Sequence, residues 1–277
     1  ISSLVNLIVS LFLGLSVGAN VVVARLIGQG RKDKANEAVH TVVLLAVISG
    51  FIILGVGEIL APILLGMMNV PDDVLKLATL YLRIFFFAMP FIEIYDFGSA
   101  VLRSKGDSTR PLYALITAGV INVILNLVFV IVFKMGVAGV ATATVISNFF
   151  SACMILYFLN HEEEMLRLDF RKLRIRWEYL LGIIKIGLPA GLQSMVFSLS
   201  NVVIQAAINS FGSDGIAGST AEQNFEFMAY FVINAFAQTA TTFTSQNFAA
   251  QDKERCKKIY RLCTFIGLAS CLGLSLI

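Results

Sequence analysis

The stretch Pro111-Leu-Tyr-Ala-Leu-Ile-Thr-Ala-Gly-Val-Ile-Asn-Val-Ile-Leu-Asn-Leu-Val-Phe-Val-Ile-Val-Phe133 contains no charged side chain. A helix needs about 20 predominantly apolar residues to cross a bilayer. In hydrocarbon the backbone must also satisfy its own hydrogen bonds, which an unbroken helix does. The stretch therefore reads as a membrane-spanning helix. Working outward, the same pattern recurs at residues 1–27, 38–68, 74–102, 136–160, 180–211 and 216–250. Glu58 interrupts the second of these runs, and the third holds Arg83, Glu93 and Asp96. An eighth run begins near Leu262 and reaches Ile277 after sixteen residues, short of a full crossing.

Composition agrees with this reading. Apolar residues make up 57% of the chain and charged ones 14%, with a mean hydropathy of +0.83. Soluble domains carry about 25% charged residues, and 22 Phe against five Pro exclude a disordered polymer. No basic n-region with a cleavage site precedes the first apolar run, so no signal peptide is expected, and the missing initial Met suggests a fragment. Cys153, Cys256, Cys263 and Cys271 lack metal or disulfide spacing and read as structural thiols.

Basic residues orient the spans. Arg31, Lys32 and Lys34, then Arg103, Lys105 and Arg110, then residues 167–176, then Lys253, Arg255, Lys257, Lys258 and Arg261 occupy every second connection. The alternate connections hold only Lys134. This bias places the first set in the cytoplasm. It also accounts for the net charge of +3 without a nucleic-acid partner. Residues 161–179 mix Glu162, Glu163 and Glu164 with Arg, Lys and Leu, and read as a cytoplasmic interfacial helix. It would link an N-terminal lobe at 1–160 to a partial C-terminal lobe at 180–277.

The chain also resembles itself. A shift of 221 residues lays 24–38 onto 245–259: a helix end, a small-residue turn, a short charged loop and a new apolar helix. Both copies run in the same direction, so the expected repeat is parallel, about an axis along the membrane normal.

Several segments carry a further resemblance: Gly14-Leu-Ser-Val-Gly-Ala-Asn-Val-Val-Val-Ala-Arg-Leu-Ile-Gly-Gln-Gly30, Leu102-Arg-Ser-Lys-Gly-Asp-Ser-Thr-Arg-Pro111, Gly136-Val-Ala-Gly-Val-Ala-Thr-Ala-Thr144, Ile186-Gly-Leu-Pro-Ala190 and Asn234-Ala-Phe-Ala-Gln-Thr-Ala-Thr-Thr-Phe-Thr-Ser-Gln-Asn247. In this order they resemble the multidrug and toxic compound extrusion (MATE) transporters of the MOP flippase superfamily. The resemblance implies an all-α, polytopic, two-lobe parallel-repeat bundle, truncated to the family's second to ninth helices. It further implies a monomer in the inner membrane of a bacterium or archaeon. Small cationic amphipathic compounds would be exported by alternating access in exchange for H⁺ or Na⁺, with no other cofactor.

Buried charge in a membrane is costly, which makes intramembrane polar residues the functional candidates. Asn122 and Asn126, four apart, share a face of the fourth span, and Thr144 lies one helix later. By resemblance these three match cation-binding positions of some MATE members, although Asn126 stands where those members carry an Asp. The alternative is helix–helix glue. Glu222, Glu226, Tyr230, Asn234 and Gln238 recur at steps of four, a polar stripe along the seventh span, widened by Asn224 at its outer end. Glu226, Tyr230, Asn234 and Gln238, with Gln193, Glu93 and Asp96, are the expected substrate cavity; for the last two, snorkelling beside Arg103 is the structural alternative. His40 reads as a packing residue.

Other functions were weighed. A lipid-linked oligosaccharide flippase would need a strongly cationic cavity, whereas these spans hold acids and amides. An intramembrane enzyme using Glu93 and Asp96 would draw its pair from one helix, and no Ser–His, Cys–His or HExxH arrangement occurs. The expectation is a transporter, not an enzyme.

Overall fold

The computed structural model describes residues 2–67, 72–209 and 212–274, with side chains except those of 2–8, 62–67, 72–74, 202, 205, 206, 209, 212–218, 220–222, 224 and 225. Residues 69–71 of the connection expected at 69–73 and the side chains of Glu222 and Asn224 lie outside the described residues.

Among the described residues the fold is all-α and without strands. Its helices are α1 (Ser2–Gly28), α2 (Lys32–Met67), α3 (Asp72–Phe86), α4 (Met89–Ser104), α5 (Thr109–Leu127), α6 (Gly136–Asn160), α7 (Trp177–Asn209), α8 (Gly212–Ala249) and α9 (Lys253–Leu274). A π-helical turn, Val128–Val132, continues α5. Five described helices are long and apolar enough to cross a membrane, and six if the bent α3–α4 pair counts as one. Eight were expected. The difference lies in α8, whose polar stripe dilutes its apolar character, and in α9, which opens with a charged turn.

Three expectations are corrected. Residues 74–102 are not one helix: α3 and α4 meet at Phe87–Ala88 with a bend of 43°. Pro90, in the first turn of α4, has no N–H to give the Phe86 carbonyl, so the helix breaks there. The last helix begins at Lys253 rather than Leu262, because the Asp252 carboxylate accepts the Arg255 N–H (2.9 Å) and caps it. Its basic residues thus lie in its first turns. Finally, 161–179 is not an interfacial helix. Residues 161–176 are irregular apart from a 3₁₀ turn at Phe170–Lys172, because Leu166 and Leu168 point into the core, and 177–179 already belong to α7.

That core is built from Val39 and Val42 of α2, Phe97 and Val101 of α4, and Ile155 and Leu159 of α6. Side chains of α2 hold the 161–179 segment over it. The Asn36 amide donates to the Glu164 and Arg167 carbonyls at 3.0 and 2.8 Å. His40 Nε2 accepts the Asp169 N–H at 3.0 Å, which leaves Nδ1 to donate to the Asn36 carbonyl at 2.7 Å. His40 therefore anchors this segment.

The internal repeat is visible in backbone hydrogen bonds. After α1, Gly30 N–H donates to Ile27 and Arg31 N–H to Leu26, with Gly30 at φ 69°. After α8, Gln251 N–H donates to Phe248 and Asp252 N–H to Asn247, with Gln251 at φ 65°. Donors and acceptors are offset by the same 221 residues, since 251 − 30 = 221. Both are Schellman closures, in which a left-handed residue satisfies the last helical carbonyls.

Glycines set the most intimate helix contact. Gly14 and Gly18 of α1 face Gly187 and Gly191 of α7. A Cβ on Gly14 would lie 2.2 Å from the Gly191 nitrogen, and one on Gly18 2.4 Å from the Ile183 carbonyl oxygen. Two small-xxx-small pairs thus let the backbones touch, as in close membrane helix pairs. The pairing was not anticipated, although Gly14, Gly18 and Gly187 lie in the segments quoted above.

Candidate functional site: polar groups among the spans

The amide cluster links α5 and α6. Asn126 Nδ2 donates to Asn122 Oδ1 at 2.9 Å, and Asn122 Nδ2 donates to Ser147 Oγ at 3.3 Å. Ser147 in turn donates to the Thr144 carbonyl at 3.0 Å. The Thr144 hydroxyl turns to its own helix, donating to the Val140 carbonyl at 3.1 Å. The structure therefore brings Asn122, Asn126 and Ser147 together and joins Thr144 through its main chain only. Ser147 was missed; its signal was a position three residues after Thr144, on the same helix face. Asn126 Oδ1 is buried without a partner, an acceptor left open beside the π-helical turn.

Glu93 and Asp96 share one side of α4 but not one environment. Glu93 is 1% exposed, while Asp96 is half-buried. The Glu93 carboxylate lies 3.4 Å from Ser49 Oγ of α2, and its Oε1 is buried with no partner. No ion pair joins Asp96 to Arg103 among the described residues. Glu58 instead pairs with Arg83 across α2 and α3 at 3.7 Å.

The α8 stripe lies open. Glu226, Tyr230 and Gln238 are exposed and Asn234 half-buried, its amide returning to the Tyr230 carbonyl at 3.0 Å. Phe197 of α7 stacks on Tyr230 with centroids 5.9 Å apart and planes at 7°. This contact sets the middle of the stripe against α7, one turn beyond the exposed Gln193.

At the end of the bundle that carries the basic connections, α1, α4 and α8 are tied together. Asn20 of α1 donates to the Ala100 carbonyl of α4 at 2.9 Å and accepts from the Thr242 hydroxyl of α8 at 2.8 Å. All three positions are buried. The Gln246 amide donates to the Ser104 carbonyl, and Gly28 has no room for a Cβ against the Gln246 backbone. Asn20, Thr242 and Gln246 lay within quoted motifs, yet nothing in their spacing singled them out as a three-helix knot.

A second charged knot was also missed. The buried Glu162 carboxylate receives Lys105 Nζ at 2.6 Å and Arg110 Nη1 at 2.7 Å, and Arg110 also reaches Asp107 at 2.8 Å. Burial alone would raise the Glu162 pKa. The Lys105 hydrogen bond, the Glu163 N–H and the charges of Lys105 and Arg110 outweigh that and hold it below the usual carboxylate range. Nearby, a cavity of about 870 Å³ opens between α2 and the 161–179 segment, walled by Lys32, Asp33, Glu37, Glu163 and Arg167 among others. Its charges are of both signs, and it is remote from the amide cluster and the stripe.

The family model MatE matches residues 1–128 and 189–277. The probable multidrug resistance protein YoeA of Bacillus subtilis is 26% identical over 263 residues, covering 92% of this chain and 57% of that protein. The probable multidrug resistance protein YpnP of the same organism is 30% identical over 257 residues, with the same two coverages. The chain thus spans somewhat more than half the length of these relatives. A solved outward-facing multidrug resistance MATE transporter of the MOP superfamily superposes with a TM-score of 0.85 at 25% identity, over 95% of this chain and 59% of that one. On the extent of the family match, this chain is a multi-pass membrane protein belonging to the MatE family, that of the multidrug and toxic compound extrusion transporters.

Proposed function

We propose that the protein exports cationic amphipathic compounds by secondary active antiport against H⁺ or Na⁺, through alternating access between two like-folded halves. The observation that carries this reading is the α8 stripe: exposed Glu226 and Gln238 flank a Tyr230 stacked on Phe197, while the basic end is closed by the Asn20–Thr242 knot. An exposed carboxylate on a spanning helix is costly against lipid and cheap against water. The stripe therefore faces a wet cleft that opens away from the basic end. In that cleft Glu226 supplies the negative charge and the paired rings a flat surface for a cation. The names of the relatives and the family support drug export. The paucity of intramembrane cations disfavours phosphate-bearing cargo, and the sealed position of Glu93 disfavours an acid–base enzyme. The protein works as a monomer in the plasma membrane of a bacterium or archaeon.

The test is reconstitution of the full-length protein in liposomes with a cationic dye, under a proton or a sodium gradient. Dye movement that collapses with the gradient is expected, reduced at least tenfold in Glu226→Ala. Absence of dye movement under either gradient overturns the reading.

A further inference from the structure

Glu93 has an environment that neither the stripe nor the amide cluster explains. It sits one turn inside α4, a few residues after the bend at Phe87–Ala88, where Pro90 lies directly on Gly50 of α2; a Cβ on Gly50 would meet the Pro90 Cα at 2.4 Å. That close seam leaves the Glu93 side chain 1% exposed. Among the described residues its hydrogen-bond partner is Ser49, whose hydroxyl lies 3.0 Å from the Ala46 carbonyl and 3.4 Å from Glu93 Oε2.

A hydroxyl has one hydrogen to give. If Glu93 is ionised, Ser49 must choose between the Ala46 carbonyl and the carboxylate, and Oε1 has no donor in either case. If Glu93 carries a proton on Oε2, the chain completes itself: Glu93 O–H donates to Ser49 Oγ, and Ser49 O–H donates to the Ala46 carbonyl. Charges around the group point the same way. On its own helix Tyr95 and Asp96 follow within one turn, Asp96 a like charge, and Arg103 lies ten residues on, in the last turn at the basic end. On α2 the nearest are His40 and Glu58, each nine residues from Ser49 and thus roughly 13 Å along the axis. α6 has no charged residue; the charged residues of α1 and α5 are Arg25 and Arg110, both at the basic end. Among the described residues no ion pair reaches the Glu93 carboxylate. A buried carboxylate without a counter-charge costs several kcal/mol, and neutralisation removes that cost.

We infer that Glu93 is a proton-binding site, held as a neutral acid in this closed seam between α2 and α4 and exchanging its proton when the seam opens. A metal cation does not fit: hard cations gather about six oxygens, and here the group offers its own two and the Ser49 hydroxyl. Set just after a helix joint, the acid has an access that varies with the bend angle. The inference deepens the antiport reading, since it names H⁺ as the ion, and its role in coupling rests on that reading; the occupancy of the site does not.

The experiment is infrared spectroscopy of the full-length protein in lipid vesicles at neutral pH, following the C=O stretch of protonated carboxylic acids. Wild type is expected to show such a band, Glu93→Gln to lose it, and Asp96→Asn to keep it. Identical spectra for wild type and Glu93→Gln overturn the inference. Should Glu93→Gln fail to fold, wild-type protein with ¹³C-labelled glutamate carboxyls answers by solid-state NMR: one neutral glutamate at neutral pH supports the site, and none overturns it. Failure of the wild-type protein to move dye would sink the antiport reading and leave the spectroscopic result standing.

Discussion

Replacing Gly14 by Ala should separate α1 from α7. The added Cβ would sit 2.2 Å from the Gly191 nitrogen, 2.3 Å from its Cα and 2.6 Å from the Gly187 oxygen. Ordinary van der Waals contact begins at 3.4 Å, so the gap must widen by at least 3.4 − 2.2 = 1.2 Å. Every atom in the way is backbone, and no rotamer can relieve the clash. Overpacking of this sort costs about 1–3 kcal/mol, against which Ala in place of Gly returns up to about 1 kcal/mol of helix propensity. With that full return the net expectation is a loss of up to about 2 kcal/mol, seen as a lower thermal midpoint in detergent micelles. Gly55→Ala is the control, since nothing lies within 4 Å of its added Cβ; it should raise the midpoint. A cysteine pair at positions 10 and 198, where the serine oxygens are 3.3 Å apart one turn from Gly14, should cross-link more slowly in the Gly14→Ala background. An unchanged midpoint together with undiminished cross-linking would refute the backbone contact.

The left-handed residue after α8 is Gln251, whereas its counterpart after α1 is glycine. Gln251→Gly should therefore stabilise the protein by about 0.5–1 kcal/mol, and Gly30→Ala should destabilise it by a similar amount, both read from thermal unfolding. Because the folded Glu162 carboxyl titrates below its unfolded value, its contribution to stability is complete above about pH 4.3. That contribution is lost as pH falls through the folded pKa. Stability measured against pH should show this acid decline in wild type and a shallower one in Glu162→Gln.

The helices were legible because apolar runs bounded by charge are a one-dimensional signal: Gly136–Asn160 has the limits its charge-free run suggested. The break before Pro90 was less so, since apolar residues continue through it and hydropathy does not record a missing N–H. Residues 161–179 misled because Leu166, Leu168 and flanking charges carry an amphipathic composition, yet the apolar members serve a core that α2, α4 and α6 assemble from afar. Within the site, the i, i+4 amide pair could be read along α5 itself. Its partner Ser147, the Asn20–Thr242 bond across 222 residues and the grip of Glu162 on Lys105 could not. Those contacts depend on which helices become neighbours, and a periodicity along one helix does not hold that information.

Where Gly14 of α1 meets Gly187 and Gly191 of α7, main chain lies on main chain. Movement along such a rail gives up little interlocking, and a small axial slide of one helix past the other leaves the rotamers around it undisturbed. If the proposed rocking of one lobe against the other occurs, its track at this seam would be made of the residues that have least to catch on.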